Sequence, residues 1–145
     1  YNIFMKIVNR KASFDYFLYE RLECGISLTG AEVRQVAAGK IKLDESYVKI
    51  IDEELYLVNA LIPPNQYSDN RTYDPQRNRK LLIHKNEVVS LIGKTAAGFA
   101  LVATAVYNKG RRIKVEIALA KGKKKWDKRE AIKKRDLEME MIVST

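Results

Sequence analysis

The chain has 145 residues, of which 46% are hydrophobic and 31% are charged, with 7 glycines and 3 prolines. This length and composition fit one folded domain and exclude a disordered or low-complexity chain. The 27 basic and 18 acidic residues give a net charge of +9, and the single cysteine, Cys24, excludes an internal disulfide and favours a reducing compartment. No apolar stretch approaches the roughly 18 residues of a membrane helix, so we expect no membrane partner.

Alternation of apolar and polar residues predicts five strands, four of them in two hairpins. The predicted strands cover residues 16–24, 46–52, 54–62, 99–107 and 113–119. The first hairpin turns near Asp52-Glu53. The second turns at Asn108-Lys109-Gly110, where Gly110 suits a left-handed backbone. The segment from residue 63 to 79 is polar and is interpreted as a long loop.

Two short helices are predicted between the strands. Thr29 and Glu32 have the spacing of a capping box, and Gly39 marks the end of the helix that follows. The second helix runs from about residue 85 to 92 and stops at Gly93. Antiparallel hairpins with short helices inserted, in a chain this small, favour a closed or nearly closed barrel of the oligonucleotide-binding type.

The positive charge is concentrated near the C-terminus. Residues 121–135 contain nine basic and two acidic residues, a net charge of +7, so the other 130 residues share +2. A polyanion suits this segment, because each neutralised phosphate releases condensed counterions. A solvated charge run is the alternative, and an anionic membrane fits less well because no apolar face accompanies the charge. We therefore divide the chain into a barrel domain, 1–120, and a basic tail, 121–145.

The sequence supplies no set of residues for catalysis or metal binding. His84 is the only histidine, and Cys24 occupies an apolar strand position that predicts burial in the core. Gly93-Lys94-Thr95 matches only the end of a phosphate-binding loop, because the required first glycine would fall at Val88. We predict a binding protein rather than an enzyme, with no metal and no cofactor.

An ordered set of motifs resembles one protein family over about residues 9–135. The motifs are Asn9-Arg10-Lys11-Ala12, Asp15-Tyr16-Phe17, Glu23-Cys24-Gly25, Gly30-Ala31-Glu32-Val33, Gly39-Lys40, Asp44-Glu45-Ser46-Tyr47-Val48, Asp74-Pro75, Arg77-Asn78-Arg79-Lys80-Leu81-Leu82, Lys121-Gly122-Lys123-Lys124-Lys125, Asp127-Lys128-Arg129 and Ile132-Lys133. The set is similar to that of small protein B, the SsrA-binding family that partners tmRNA in bacterial trans-translation.

The resemblance implies a barrel of six strands with about three helices, which binds the tRNA-like domain of tmRNA and enters stalled ribosomes. It implies that the tail probes the empty mRNA channel, so that the ribosome is the second partner. We expect a monomer in the cytoplasm of a bacterium, or in the matrix or stroma of an organelle of bacterial descent. A general RNA-binding or ribosome-associated barrel protein without tmRNA specificity is the alternative.

The resemblance and the chemistry of the residues together give two sets of expected contacts. Glu23 either accepts hydrogen bonds from exposed base edges or pairs with a Lys or Arg across the strands. Phe14 offers a ring that can stack on unpaired bases, and Gly39 either leaves the backbone accessible beside Lys40 or is an ordinary helix C-cap. The basic residues near the long loop contact RNA or are solvated loop charges. The expected RNA-binding residues are Asn9, Arg10, Lys11, Phe14, Glu23, Arg34, Gly39, Lys40, Arg77, Arg79 and Lys80. The expected ribosome-binding residues of the tail are Lys121, Lys123, Lys124, Lys125, Asp127, Lys128, Arg129, Lys133, Lys134 and Arg135.

Three features depart from the family's pattern. Ser13-Phe14 stands where the family usually carries basic residues or histidine, and Ala37 replaces a usual arginine, which weakens two expected RNA contacts. The last ten residues contain three acidic residues and no Lys or Arg. Either the sequence is truncated or altered there, or its hold on the mRNA channel is weaker. Because the tail lacks a clean apolar stripe, we predict that it is disordered when free and helical on the ribosome.

Overall fold

The computed structural model describes residues 5–66 and 72–143. Seven strands and four helices lie in these described residues. In order the elements are β1 (Lys6–Val8), α1 (Arg10–Asp15), β2 (Tyr16–Ile26), α2 (Gly30–Ala37), β3 (Tyr47–Ile51), β4 (Glu54–Val58), β5 (Arg79–Leu82), α3 (Lys85–Ala96), β6 (Ala100–Lys109), β7 (Arg112–Gly122) and α4 (Lys125–Val143). Within these described residues, no helix has the length and apolar character needed to cross a bilayer.

The strands form one antiparallel sheet in the order β1-β6-β7-β2-β5-β4-β3. The long strands β2, β6 and β7 make its centre, and β2 pairs with both β7 and β5. The register of β2 against β7 shifts between Leu18 and Arg21, and that of β6 against β7 shifts between Ala103 and Ala105. Such bulges bend and twist strands, and here β3, at the end of the ladder, lies close to β6.

The prediction of a mainly β fold is confirmed, and the described residues before the tail contain three helices, but the expected strand count of six is not what the structure shows. The sheet has seven strands, and among the described residues no strand pairing joins β3 to β6. The sheet is therefore curled without being closed by hydrogen bonds. Strand β1 is not among the five strands predicted from the sequence. It pairs with β6 and has only three residues, which is too short to produce a visible alternation.

The main core lies on the concave side of the curled sheet. Cys24, Leu57, Val106, Val115 and Ile117 are each at most 1% exposed there. A second, smaller cluster of Ala12, Val102, Ala118 and Ala120 lies elsewhere, where Ala12 of α1 packs against β6 and β7. Both sides of these two strands are thus covered at this position, which explains why residues 99–107 are largely apolar on both faces.

Helix α2 begins as the sequence predicts. The Thr29 hydroxyl accepts a hydrogen bond from the Glu32 backbone N–H at 3.2 Å, and the Glu32 carboxylate accepts one from the Thr29 N–H at 3.0 Å. At the other end, Gly39 has φ +78°, and the N–H groups of Gly39 and Lys40 donate to the carbonyls of Val36 and Gln35. This is a Schellman ending, so Gly39 acts as the helix stop.

The predicted stop of α3 at Gly93 is wrong, since the helix continues to Ala96. Gly93 is exposed and sits in the helical conformation, where glycine costs about 1 kcal/mol relative to alanine but does not break the helix. The actual stop is Gly98, with φ +103° and its N–H bonded to the carbonyl of Thr95.

Strand β5 and helix α1 have no counterpart in the predicted elements. In β5, the charged Arg79 points inward with Leu81, while Lys80 and Leu82 point outward, and Leu82 is 52% exposed. Because one inward residue is charged and one outward residue is apolar, the sequence pattern does not indicate a strand. Helix α1 has only six residues and begins at Asn9, whose side chain accepts from the Ala12 N–H, a pattern too short for helical periodicity.

Candidate nucleic-acid interface

The structure distributes the expected RNA-binding residues over two ends of the sheet and one buried cluster. Strand β7 has eleven residues and spans roughly 30 Å at the rise of an extended chain. The turn between β6 and β7 lies at one end of it, whereas α1 and the start of the tail lie at the other. The residues therefore do not form one continuous patch.

At the α1 end, Asn9 has a structural role, and its expected contact with RNA stays a prediction. It is 5% exposed, its side chain caps α1, and its amide donates to the carbonyls of Leu43 at 3.2 Å and Ala103 at 2.9 Å. These bonds tie α1 to β6 and leave the side chain buried. Arg10 and Lys11 are exposed, and Lys11 Nζ lies 3.1 Å from Glu45 Oε1.

The tail begins in contact with α1. The Lys123 N–H donates to the Asp15 carbonyl at 2.8 Å, and Lys128 Nζ lies 3.1 Å from Asp15 Oδ1. Lys128 Nζ is also 5.9 Å from the centre of the half-buried Phe14 ring, so a lysine already covers a ring expected to stack on bases. Asp127 lies in the first turn of α4 and accepts from the Lys124 N–H at 3.1 Å, as an acidic residue at a helix start should.

The other tail cations whose side chains the structure describes are exposed. Lys121 belongs to β7 rather than to the tail. The exposed members of the tail set beyond it are Lys124, Arg129, Lys133, Lys134 and Arg135. The side chain of Lys125 lies outside the described residues. Most of the described side chains of α4, at 127–130 and 132–137, are charged, so its surface suits a polyanion more than a protein groove.

At the opposite end of the sheet, Glu23 is held by two neighbours from β6. Its carboxylate accepts from the Tyr107 hydroxyl, and Lys109 Nζ lies 3.4 Å away. The Tyr107 hydrogen bond and the nearby Lys109 and Lys114 lower the pKa of Glu23 against the opposing effect of burial. Burial and the bond to Glu23 raise the pKa of Tyr107. The carboxylate is therefore ionised, and the cross-strand alternative for Glu23 is the one that the structure contains.

The β6–β7 turn carries cations that the sequence reasoning missed. Lys109, Arg111 and Arg112 are all exposed and lie around Gly110, whose φ is +63°. The residues are visible in the sequence next to a recognised turn, but their charge is less dense than that of the tail and gives a weaker signal. These three cations lie near Glu23, Arg34 and Lys114. We call the whole set the hairpin-end surface, which consists of Glu23, Arg34, Lys109, Arg111, Arg112 and Lys114.

Arg34 joins this surface through the packing of α2. A cavity of about 230 Å³ separates α2 from the β6–β7 turn, and Arg34 and Arg111 are among its lining residues. Its apolar wall includes Val33, Ala37 and Ile113. The small side chain of Ala37 leaves the cavity open at this point. Lys40 follows the end of α2 and is exposed.

Two of the expected loop contacts belong instead to a buried cluster around Glu32. Arg79 is 0% exposed, and its Nη2 and Nε lie 2.6 and 2.9 Å from Glu32 Oε2. Arg77 also donates to Glu32, and the Tyr73 hydroxyl lies 3.1 Å from it. Each of the three guanidinium nitrogens of Arg79 donates a hydrogen bond inside the protein, and its expected contact with RNA stays a prediction. Lys80 is exposed and pairs with Glu54 at 3.1 Å.

The ionisation of Glu32 follows from this environment. Burial alone would raise the pKa of its carboxyl group, but hydrogen bonds from Arg77, the Thr29 N–H and Arg79 outweigh burial and lower it to about 2. The Arg79 guanidinium also donates to the carbonyls of Ala60 and Pro75 at 2.6 and 3.0 Å. The cluster thus joins α2, β5 and the described part of the 59–78 loop, and its role is structural.

The single cysteine is buried, and the described part of the chain contains no metal-binding cluster. Cys24 is buried as predicted, and burial raises the pKa of its thiol to about 12. Residues 5–66 and 72–143 contain no group of three His, Cys, Asp or Glu side chains placed to hold a metal ion. A mainly β body with a cationic turn and a cationic C-terminal helix defines a small nucleic-acid-binding protein.

The comparisons with known proteins identify the family. A family model described as SmpB protein matches residues 6–144, so the chain belongs to the SmpB family. An SsrA-binding protein of Clostridium kluyveri is 45% identical over 138 residues, which cover 92% of this chain and 88% of the relative. One of Caldicellulosiruptor bescii is 46% identical over 134 residues, covering 92% and 85%. A solved structure described as "tmRNA-SmpB: a journey to the center of the bacterial ribosome" is 40% identical, with a TM-score of 0.69 over 88% of this chain and 94% of that one.

Proposed function

We propose that this protein binds the tRNA-like domain of tmRNA and delivers it to stalled ribosomes for trans-translation. The observation that carries the proposal is the family match over residues 6–144, together with relatives named SsrA-binding protein that are about as long as this chain. The similar solved structure joins tmRNA, SmpB and the bacterial ribosome in its description. The resemblance recognised in the sequence leads to the same conclusion.

We infer that the hairpin-end surface makes the contact with the folded RNA. Lys109, Arg111 and Arg112 lie close together in sequence and are exposed on a rigid two-strand turn, which suits the spacing of phosphates on a folded RNA. Glu23 is ionised and fixed among these cations, so its remaining lone pairs can accept from base amino groups. An isolated carboxylate would repel the backbone, but this one is compensated by its neighbours.

The body that carries this surface is best regarded as a variant of the oligonucleotide-binding barrel. Its antiparallel strands curl around one core, with β3 lying close to β6, and Val36 of α2 and Leu91 of α3 belong to that core. We propose that this curled sheet, ending at Gly122, forms one functional unit and that α4 forms the other. The prediction that the tail is disordered in the free protein remains a prediction.

The tail serves the ribosome in this proposal. Its exposed cations suit ribosomal RNA, and its position at the far end of β7 keeps it away from the hairpin-end surface. The protein acts by binding two RNAs and not by catalysis. We place it in the cytoplasm of a bacterium, as a monomer, with the matrix or stroma of an organelle of bacterial descent as the other location.

Two triple variants of equal charge test the division of labour. K109Q/R111Q/R112Q should weaken binding to the tRNA-like domain and reduce the slope of log affinity against log salt by about 0.9 for each phosphate that is no longer neutralised. K124Q/R129Q/K133Q should leave that affinity within a factor of about two and abolish tagging on stalled ribosomes. Binding is measured by filter retention, and tagging by translation of an mRNA without a stop codon. If the tail variant loses tmRNA affinity as severely as the hairpin variant, the assignment of the surfaces is wrong.

A further inference from the structure

The core-facing side of the sheet continues past the core at the end where β2 begins and β7 ends. Leu101 and Leu119 are paired across β6 and β7 and are buried, whereas the next residues on the same side are Phe99 and Lys121. Across the β2–β7 ladder, Lys121 is paired with Phe17. Alternation of side chains therefore brings the aromatic and lysine side chains to the open end of the curled sheet.

Three aromatic rings and two lysines make up this surface, which we call the mouth platform: Phe17, Tyr19, Phe99, Lys121 and Lys123. Phe17 and Tyr19 are 44% and 50% exposed, which is unusual for rings of this size. Tyr19 packs edge-on against Phe99, with ring centres 5.5 Å apart and planes at 84°. The register shift after Leu18 places Tyr19 at a bulge. The rings are thus fixed by the strands and by each other.

The lysines of the platform are placed by the rings and not by acidic partners. Lys121 Nζ lies 4.6 Å from the centre of the Phe99 ring, and Lys123 Nζ lies 5.2 Å from that of Phe17. Lys123 also donates to the Ser13 carbonyl. Within the described ranges, neither amine has a carboxylate at ion-pair distance, whereas Lys11, Lys80, Lys109 and Lys128 all do. The charge of these two lysines is therefore available to an anion.

We propose that the mouth platform binds single-stranded RNA, with unpaired bases stacked on Phe17 and Tyr19 and phosphates contacted by Lys121 and Lys123. Alternating rings and cations are what single-stranded nucleic acid requires, because every base offers a π face and every link a negative charge. A protein segment could pack on the apolar rings, but it would not match the positive charge of two lysines that lack acidic partners. The platform lies about the length of β7 away from the hairpin-end surface and contains no residue of α4, so it is a further RNA site beside those two. It does not depend on the proposed function.

Substitutions at Phe17 and Tyr19 separate stacking from other contributions, since both side chains are exposed and can be changed without opening the core. The probe is a short fluorescent oligouridine, titrated with the full chain at physiological salt. F17L and Y19L keep apolar bulk but remove the ring, and each should weaken binding about ten-fold. F17Y and Y19F keep the ring and should restore it. V89A and K85Q, at exposed positions on α3, are the matched controls.

The salt dependence separates the platform from the charge of the tail. F17L should lower affinity at every salt concentration without changing the slope, whereas K121Q/K123Q should reduce the slope by about 1.4, or 0.7 for each contact to a single strand. The proposal is overturned if F17L and Y19L bind oligouridine within a factor of about two of the wild type, which would assign the binding to the tail alone. If F17L and F17Y bind oligouridine equally weakly, the proposal is also overturned, because the ring kept in F17Y would then not restore binding. The tRNA-like domain serves as a second probe. If the wild type fails to bind it but binds oligouridine as expected, the proposed function is refuted and the proposal for the mouth platform is not.

Discussion

Replacing Glu32 with glutamine should lower the free energy of unfolding more than replacing any exposed charged residue. Glu32 is 1% exposed and its carboxylate faces the fully buried guanidinium of Arg79. Glutamine has nearly the same shape and retains one acceptor oxygen, so the main change is that the charge of Arg79 loses its counter-charge inside the protein. Breaking a buried pair in this way costs about 3–5 kcal/mol. Because domains of this size are stable by about 5–15 kcal/mol, the variant should lose a large share of its stability.

The measurement is urea unfolding of the wild type and of Glu32→Gln, followed by far-ultraviolet circular dichroism at pH 7. The loss corresponds to a fall of about 10 °C in Tm. Glu45→Gln is the matched control, since it removes a carboxylate from the solvent-exposed pair with Lys11 and should leave the free energy of unfolding unchanged within error. A loss below about 1 kcal/mol for Glu32→Gln, or an equal loss for both variants, would refute the reasoning, because it would mean that the buried charge of Arg79 finds another partner or reaches water.

Three further predictions rest on the same kind of argument. The pKa of Glu32 is lowered from 4.5 to about 2, so its contribution to stability is complete above pH 4.5 and is lost as the pH falls towards 2; the difference in unfolding free energy between wild type and Glu32→Gln should shrink across that window, and a constant difference would contradict it. Burial raises the pKa of the Cys24 thiol to about 12, so a thiol-specific reagent at pH 8 should modify the unfolded chain rapidly and the native chain only at the rate of opening; rapid labelling without denaturant would show that the thiol is accessible. The Tyr107 hydroxyl is the largest cause of the lowered pKa of Glu23, so Tyr107→Phe should raise that pKa towards 4.5 in a carboxyl NMR titration, and an unchanged titration would remove Tyr107 as the cause.

The parts of the fold that could be predicted are those with a local signal. Both hairpins appear where alternating strands flank a recognisable turn, and the capping box of Thr29 and Glu32 appears because its two residues are three positions apart. Strand β5 was missed because its inward residue is Arg79, whose burial is possible only beside a carboxylate 47 positions earlier. No local pattern carries that information. The sequence therefore suggested a loop cation where the structure has an internal one.

Prediction of the candidate site met the same limit. Asn9 and Arg79 have the chemistry of RNA contacts, and only their burial removes them from the surface. The cations of the β6–β7 turn were visible in the sequence, but their position beside Glu23 depends on the pairing of β2 with β7. Residue type predicted the kind of partner. The pairing of distant strands decided which residues could reach it.

Competition between two folded RNAs tests the account most directly. The full chain, bound to the labelled tRNA-like domain of tmRNA at physiological salt, is challenged with unlabelled tRNA and with unlabelled tRNA-like domain. Preference for the tRNA-like domain by at least about ten-fold, reduced in K109Q/R111Q/R112Q, is the result that the account predicts. Displacement by both competitors at the same concentration would contradict it and would describe a general RNA-binding protein.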